Sequence, residues 1–92
     1  MIKKIKHKGL KRLYEKGQRQ GVQPSHVEDL EDILALLDAA SGPVQMDLPG
    51  MDFHPLKGAR NGYYSVHVNG NWAVTFTFDG EDADQVDYED YH

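Results

Sequence analysis

Residues 63–78 read YYSVHVNGNWAVTFTF, and this stretch decides the fold class. Apolar and polar side chains alternate on either side of the Asn-Gly pair, which is the period expected of two half-buried β-strands. Because a strand directs alternate side chains to opposite faces, Val66, Val74 and Phe76 share one face. The stretch therefore predicts an antiparallel hairpin with one apolar and one polar face.

The length of the turn decides which residues oppose each other in this hairpin. A two-residue Asn-Gly turn would mix polar and apolar side chains on each face, because a shift of one residue moves every side chain to the other face. We therefore predict a three-residue loop, 69–71, in which Gly70 or Asn71 is left-handed. It pairs Val68 with Trp72 and Val66 with Val74. The residues on the polar face are then Ser65, His67, Ala73 and Thr75.

The first half of the chain has a helical period instead. Apolar residues recur every three or four positions on one stripe: Val27, Leu30, Ile33, Leu34 and Leu37. Ser25 and Glu28 have the spacing of a capping box at the start of this helix, and residues 41–43 (SGP) end it. A shorter helix spans residues 8–16 and stops at Gly17.

Two further strands complete the expected architecture. Ile2 and Ile5 indicate a short first strand at an edge of the sheet, and residues 84–88 indicate a last strand that buries Val86 and Tyr88. The sequence thus predicts one domain, residues 1–92, of the α/β (α+β) class. Its two helices pack on the apolar face of an antiparallel sheet.

The charged residues are unevenly distributed. The formal net charge is −5, yet residues 1–21 hold eight Lys and Arg, whereas residues 79–92 hold seven Asp and Glu and no Lys or Arg. This pattern fits either two solvated surfaces of opposite charge or a basic surface that binds polyanions. The acidic net charge counts against an RNA-binding domain that uses phosphate contacts alone.

The composition favours a cytoplasmic protein. The absence of Cys fits a reducing compartment. No apolar run approaches the ~20 residues of a membrane-spanning helix. The lysines of residues 1–6 are not followed by the apolar block of a secretion signal.

The usual signatures of nucleotide-binding, hydrolase and metalloprotease sites are missing, and no histidines have zinc-site spacing, so neither a metal nor a cofactor is expected. His7 and His26 lie near helix starts and are expected to face solvent. His54 and Lys57 belong to residues 54–58 (HPLKG), where Pro and Gly hold the backbone at a strand end. The sequence closes on three further candidates, Asp90, Tyr91 and His92.

These side chains could together cleave RNA without a metal. Attack by a 2′-hydroxyl on the neighbouring phosphate needs a base for that hydroxyl and an acid for the departing 5′-oxygen. It also needs positive charge or hydrogen-bond donors around the phosphorane. Two histidines, a carboxylate and a lysine supply these functions, and a tyrosine can stack on a base.

Several stretches of the sequence resemble the HigB toxins, the plasmid-maintenance killer proteins of the RelE superfamily. They are residues 1–3 (MIK), 7–11 (HKGLK), 54–58 (HPLKG), 71–72 (NW), 75–76 (TF) and 88–92 (YEDYH). The resemblance covers essentially the full length and implies a RelE-like fold of the microbial RNase type. It also implies a ribosome-dependent endonuclease that cuts mRNA in the A site.

The resemblance further implies the partners and the site. A HigA-like helix-turn-helix antitoxin would neutralise the toxin, and operator DNA would be contacted only through that antitoxin. The positions that match the family's catalytic residues are His54, Lys57, Asp90, Tyr91 and His92. Lys57 and position 73 match residues that bind the substrate.

Position 73 departs from the family pattern, in which Asn-Trp is typically followed by Arg. Ala73 lies on the predicted polar face, so the exchange should leave folding intact while costing on the order of 10²–10³ in rate. Two explanations are open. Ala73 is an engineered knockout, as the intact remaining motifs favour, or it is natural and another cation such as Arg60 is used.

A second function is also open. The chain could bind its antitoxin as a co-repressor in an operon-regulating complex, without catalysis. This alternative predicts that removal of His92 has no effect, whereas the endonuclease requires it.

Overall fold

The computed structural model describes residues 1–91, in which two helices precede an antiparallel sheet of four strands. The elements are α1 (Lys8–Lys16), α2 (Val27–Ala39), β1 (His54–Pro55), β2 (Tyr64–Asn69), β3 (Trp72–Asp79) and β4 (Asp82–Asp90). The strands lie side by side in chain order. The helices pack on one face of the sheet, which confirms the predicted α+β class. No helix within residues 1–91 is long and apolar enough to cross a membrane.

The N-terminal segment extends this sheet beyond β4. Ile2 and Ile5 form parallel bridges with Ala83 and Val86, and the backbone N–H of Lys6 donates to the Val86 carbonyl at 2.7 Å. The predicted first strand is therefore present as two isolated bridges rather than as a continuous ladder. Between the bridged positions β4 is irregular, with Gln85 at φ 50°, and this irregularity interrupts the pairing.

The core lies between the two helices and the apolar face of the sheet. The predicted stripe of α2 is confirmed, because Val27, Leu30, Ile33, Leu34 and Leu37 are all buried. The sheet contributes Val66, Val74, Phe76, Val86 and Tyr88, also as predicted. The bounds of α1 are those predicted, and it ends at Gly17, which is left-handed with φ 67°.

The hairpin has the predicted faces but a different turn. Val66 opposes Val74 as predicted, and Gly70 is left-handed with φ 58°. The predicted pair of Val68 with Trp72 is wrong, because Asn69 is the residue opposite Trp72. The register shifts between His67 and Asn69, so the extra residue is absorbed by an irregularity in β2 instead of a longer loop.

The predicted capping box of α2 is also wrong. Ser25 lies inside a 3₁₀ turn, Pro24–His26, and this turn runs directly into the helix. The helix therefore begins at Val27, and the contacts within residues 1–91 include no side-chain cap on its first turn. Pro24, at the first position of the turn, fixes the backbone just before the helix, and the cap position falls on His26 rather than on Ser25.

The same turn places His26 in the protein interior, against the expectation that it faces solvent. The His26 side chain is buried, and its Nδ1 lies 2.6 Å from the hydroxyl oxygen of Tyr88 on β4. The rings of His26 and Trp72 meet edge to face with 5.9 Å between centroids. Burial raises the pKa of the Tyr88 hydroxyl, so this hydroxyl keeps its hydrogen at neutral pH.

An ion pair ties the loop before β2 to the polar face of the sheet. The two Nη atoms of Arg60 donate to the carboxylate oxygens of Glu89 at 2.6 and 2.9 Å, and the Thr75 hydroxyl donates to the same carboxylate. The guanidinium carbon also lies 5.3 Å from the ring centroid of Tyr63. Hydrogen bonding from Arg60 lowers the pKa of the Glu89 carboxyl, so the charged form is favoured in the folded protein.

Gly9 on α1 is required by a close approach of two backbones. A Cβ atom at Gly9 would lie 2.1 Å from the carbonyl oxygen of Gly21, and neither backbone can move aside cheaply. We expect Gly9→Ala to lower the free energy of unfolding by about 1–3 kcal/mol, measured by urea denaturation, despite the better helix propensity of alanine. Gly42→Ala is the matched control, because Gly42 has an extended backbone and open space around it. Equal stability of both variants would contradict the close contact.

The Arg60–Glu89 pair predicts a pH dependence of stability. Because the pKa of Glu89 is lowered on folding, its contribution is present above the unfolded value of about 4.3 and is lost as the pH falls through the folded value. We expect Glu89→Gln to be less stable than the parent at pH 7, with a difference that shrinks below about pH 4. Urea unfolding at several pH values measures this, with exposed Glu81→Gln as the control. A difference that does not change with pH would refute the ion pair's role.

Candidate active site

A cleft of about 170 Å³ opens on the polar face of the sheet, beside the turn between β2 and β3. Depressions of about 350 and 310 Å³ share His67 and Trp72 with it, respectively, but the predicted site residues His54, Ala73 and Tyr91 line this smaller one. The lining residues are Asp52, His54, Ser65, His67, Gly70, Asn71, Trp72, Ala73 and Tyr91. The cleft is therefore the candidate active site.

His54 is held in an orientation that suits a base. It begins β1, opposes Ser65 on β2, and remains exposed to solvent. Its Nδ1 lies 2.9 Å from the carbonyl oxygen of Asp52. Because a carbonyl oxygen can only accept, Nδ1 carries the hydrogen, and in the neutral ring Nε2 has the free lone pair. His54 can thus accept a proton at Nε2.

Tyr91 reaches the cleft from the end of β4. Its backbone N–H donates to the carbonyl oxygen of Asn71 at 2.7 Å, which fixes it against the turn between β2 and β3. The side chain is 40% exposed, so its ring is available to a ligand. Hydrogen bonding from Arg60 to the Glu89 carboxylate raises the pKa of the Arg60 guanidinium, and Tyr91 adds a smaller contribution in the same direction.

The remaining predicted residues are placed differently. Lys57 is exposed and immediately precedes the 3₁₀ turn Gly58–Arg60, while Asp90 is exposed and opposes Trp72 at the end of β4. Of the predicted residues that the structure describes, these two do not line the cleft. His92 lies outside the described residues. The structure therefore brings His54, Ala73 and Tyr91 together in one cleft.

Ala73 occupies the position that the sequence predicted. It is buried on the polar face of the sheet, outside the apolar core cluster, and its neighbours across the strands are His67 and Glu89. Side chains directly opposite in an antiparallel pair have Cβ atoms about 4.5–5.5 Å apart. A longer side chain at position 73 would consequently extend into the cleft beside the Glu89 carboxylate.

His67 is a second imidazole in the cleft that the site prediction did not include. Its Nε2 lies 2.9 Å from the carbonyl oxygen of Gly70, so the hydrogen is on Nε2 and Nδ1 can accept. The register that placed His67 opposite Ala73 was the signal that could have identified it. Among residues 1–91 no group of His, Asp and Glu side chains is arranged to hold a metal ion.

Comparison with known proteins identifies the family. The model of a protein family, described as the RelE-like toxin of type II toxin–antitoxin system HigB, matches residues 3–92. The chain is also 46% identical to Endoribonuclease HigB of Proteus vulgaris over 92 residues, which is the full length of both proteins. Both comparisons extend over the strands and loops that form the cleft.

The helices packed on an antiparallel sheet, the cleft on its polar face and the similarity along nearly the whole sequence agree with one another. The chain belongs to the HigB-like family of RelE-like toxins, which act in type II toxin–antitoxin systems and have an antitoxin as partner.

Proposed function

We propose that this toxin is a ribosome-dependent endoribonuclease that cuts mRNA in the A site without a metal and so inhibits translation. The main support is the cleft, which His54 and Tyr91 both line and in which Nε2 of His54 can accept a proton. The name of the Proteus vulgaris relative, Endoribonuclease HigB, is the second support. Cutting at the ribosome places the activity in the cytoplasm.

The reaction would be an in-line displacement at phosphorus. The 2′-oxygen attacks the neighbouring phosphorus atom, and its proton passes to a base, for which Nε2 of His54 is available. The bond from phosphorus to the 5′-oxygen breaks, and an acid returns a proton to that oxygen. The products are a 2′,3′-cyclic phosphate and a 5′-hydroxyl. We assign the acid to the terminal group of Asp90, Tyr91 and His92, and assign Lys57 to the phosphate charge.

The ribosome would supply the positioning that the small cleft does not. The exposed lysines and arginines of α1 lie on a helix whose buried residues are Gly9, Leu10 and Leu13. This basic surface is suited to ribosomal RNA, since binding to a polyanion depends on local positive potential rather than on net charge. The mRNA would then be presented to the cleft with its backbone already aligned.

The partner would be a HigA-like helix-turn-helix antitoxin, and the toxin would contact operator DNA only through this antitoxin.

One observation favours a non-catalytic alternative, in which the toxin is only a co-repressor in the complex with its antitoxin. Ala73 carries no charge at the position where the family pattern has an arginine.

The nuclease proposal is tested with the Ala73→Arg variant in a translation reaction. We expect this variant to cut mRNA in the ribosomal A site, and we expect the additional change His54→Ala to lower the cleavage rate by about 10²–10⁴, the usual contribution of a positioned base. Primer extension on the mRNA measures the cuts. A folded Ala73→Arg variant that leaves mRNA intact would exclude the endonuclease.

The two functions make opposite predictions for His92. Removal of His92 should abolish growth arrest when the toxin is expressed without antitoxin, if this residue takes part in proton transfer. The truncated chain should still bind the antitoxin, as shown by co-purification. Growth arrest that persists in the truncated chain would favour a role other than RNA cleavage.

A further inference from the structure

The Arg60–Glu89 pair lies next to the position where the family pattern has a positive charge. Ala73 opposes Glu89 directly in the register of β3 and β4. The Glu89 carboxylate holds Arg60 through two hydrogen bonds of 2.6 and 2.9 Å. The Cβ atoms of Ala73 and Glu89 are about 4.5–5.5 Å apart as a directly opposite pair, so the guanidinium is held by the side chain of the residue opposite position 73.

The contacts of Arg60 fix its orientation and leave donors for an anion. One Nη atom donates to Glu89 and lies 3.5 Å from the Thr75 hydroxyl oxygen, and the other donates to the second carboxylate oxygen of Glu89. These bonds use only part of the N–H groups of a guanidinium. The Arg60 side chain is still 37% exposed, so an anion can reach it from solvent. Because the carboxylate binds one edge of the planar guanidinium, the N–H groups on its other edge can bind a ligand.

The surroundings add to the positive character of this region. The ring of Tyr63 has Arg60 within 5.3 Å and Lys6 within 5.4 Å of its centroid. Lys6 also contributes to the lowered pKa of Glu89. Two cations therefore share the surroundings of one carboxylate, and Ala73, which lies opposite Glu89, lines the cleft.

We propose that Arg60, oriented by Glu89 and Thr75, is a second cation besides Lys57 that contacts the scissile phosphate in this chain, in place of an arginine at position 73. The proposal rests on the endonuclease function proposed above and adds a residue to it. It explains how the cleft can act on a phosphodiester although position 73 is alanine. Glu89 is then a positioning residue, because it acts through Arg60.

The test compares four chains in the same translation reaction: the parent, Arg60→Gln, Ala73→Arg and the double variant. Glutamine removes the charge but can still donate to Glu89, so the loop remains attached to the sheet. We expect Arg60→Gln to lower the cleavage rate by about 10²–10³, as for loss of one electrostatic donor. We expect Ala73→Arg to raise the parental rate less than tenfold, but to raise the rate of Arg60→Gln at least tenfold.

The control is Glu81→Gln, a charge change on an exposed turn, which should cleave like the parent. Thermal unfolding of every variant separates loss of charge from loss of fold. A purely structural ion pair would give the same loss for Arg60→Gln whether position 73 is Ala or Arg, and that result overturns the proposal. Parental activity in Arg60→Gln also overturns it.

The outcomes separate this proposal from the proposed function. If the parent is inactive but Ala73→Arg cuts mRNA, the endonuclease is supported and Arg60 does not act as the replacement. If both chains leave mRNA intact, the endonuclease and the role of Arg60 are refuted together. Activity in the parent that depends on Arg60 supports both.

Discussion

The constraint on which the structure depends is the position of β3 between two antiparallel neighbours. A strand that is hydrogen-bonded on both edges cannot shift against either neighbour without exposing its apolar residues, because the side chains alternate with a period of two. Val74 and Phe76 must therefore face the helices. Ala73 and Thr75 must face the other way, and the cleft and the Arg60–Glu89 pair lie on that second face.

The elements that follow from side-chain periodicity could be predicted from the sequence. The stripe of α2 and the pairing of Val66 with Val74 depend on repeated positions whose burial contributes to one core, so several residues support the same assignment. The errors fall where a single local contact competes with such a pattern. A proline-led 3₁₀ turn replaced the Ser25 cap, and an irregularity in β2 replaced the pair of Val68 with Trp72.

The candidate site was predictable in part. His54 and Tyr91 were predicted from their chemistry and from the family resemblance, and both line the cleft, whereas Lys57 and Asp90 were predicted in the same way and do not. The positions of His67 and Glu89 on either side of Ala73 depend on which residues oppose each other across three strands. The network of Arg60 depends in addition on the path of the loop before β2, and no periodic pattern in the sequence encodes such a path.

The parallel bridges between the N-terminal segment and β4 have a consequence for folding during synthesis. At about 5–20 residues per second, Val86 is made roughly 4–16 s after Ile5, its partner in the bridge. Until β4 has been made, β3 lacks one neighbour, and the hydrogen bond from the Tyr91 N–H to the Asn71 carbonyl oxygen cannot form. The cleft is therefore assembled only after translation has passed β4, so a nascent chain that stops short of β4 has no finished site.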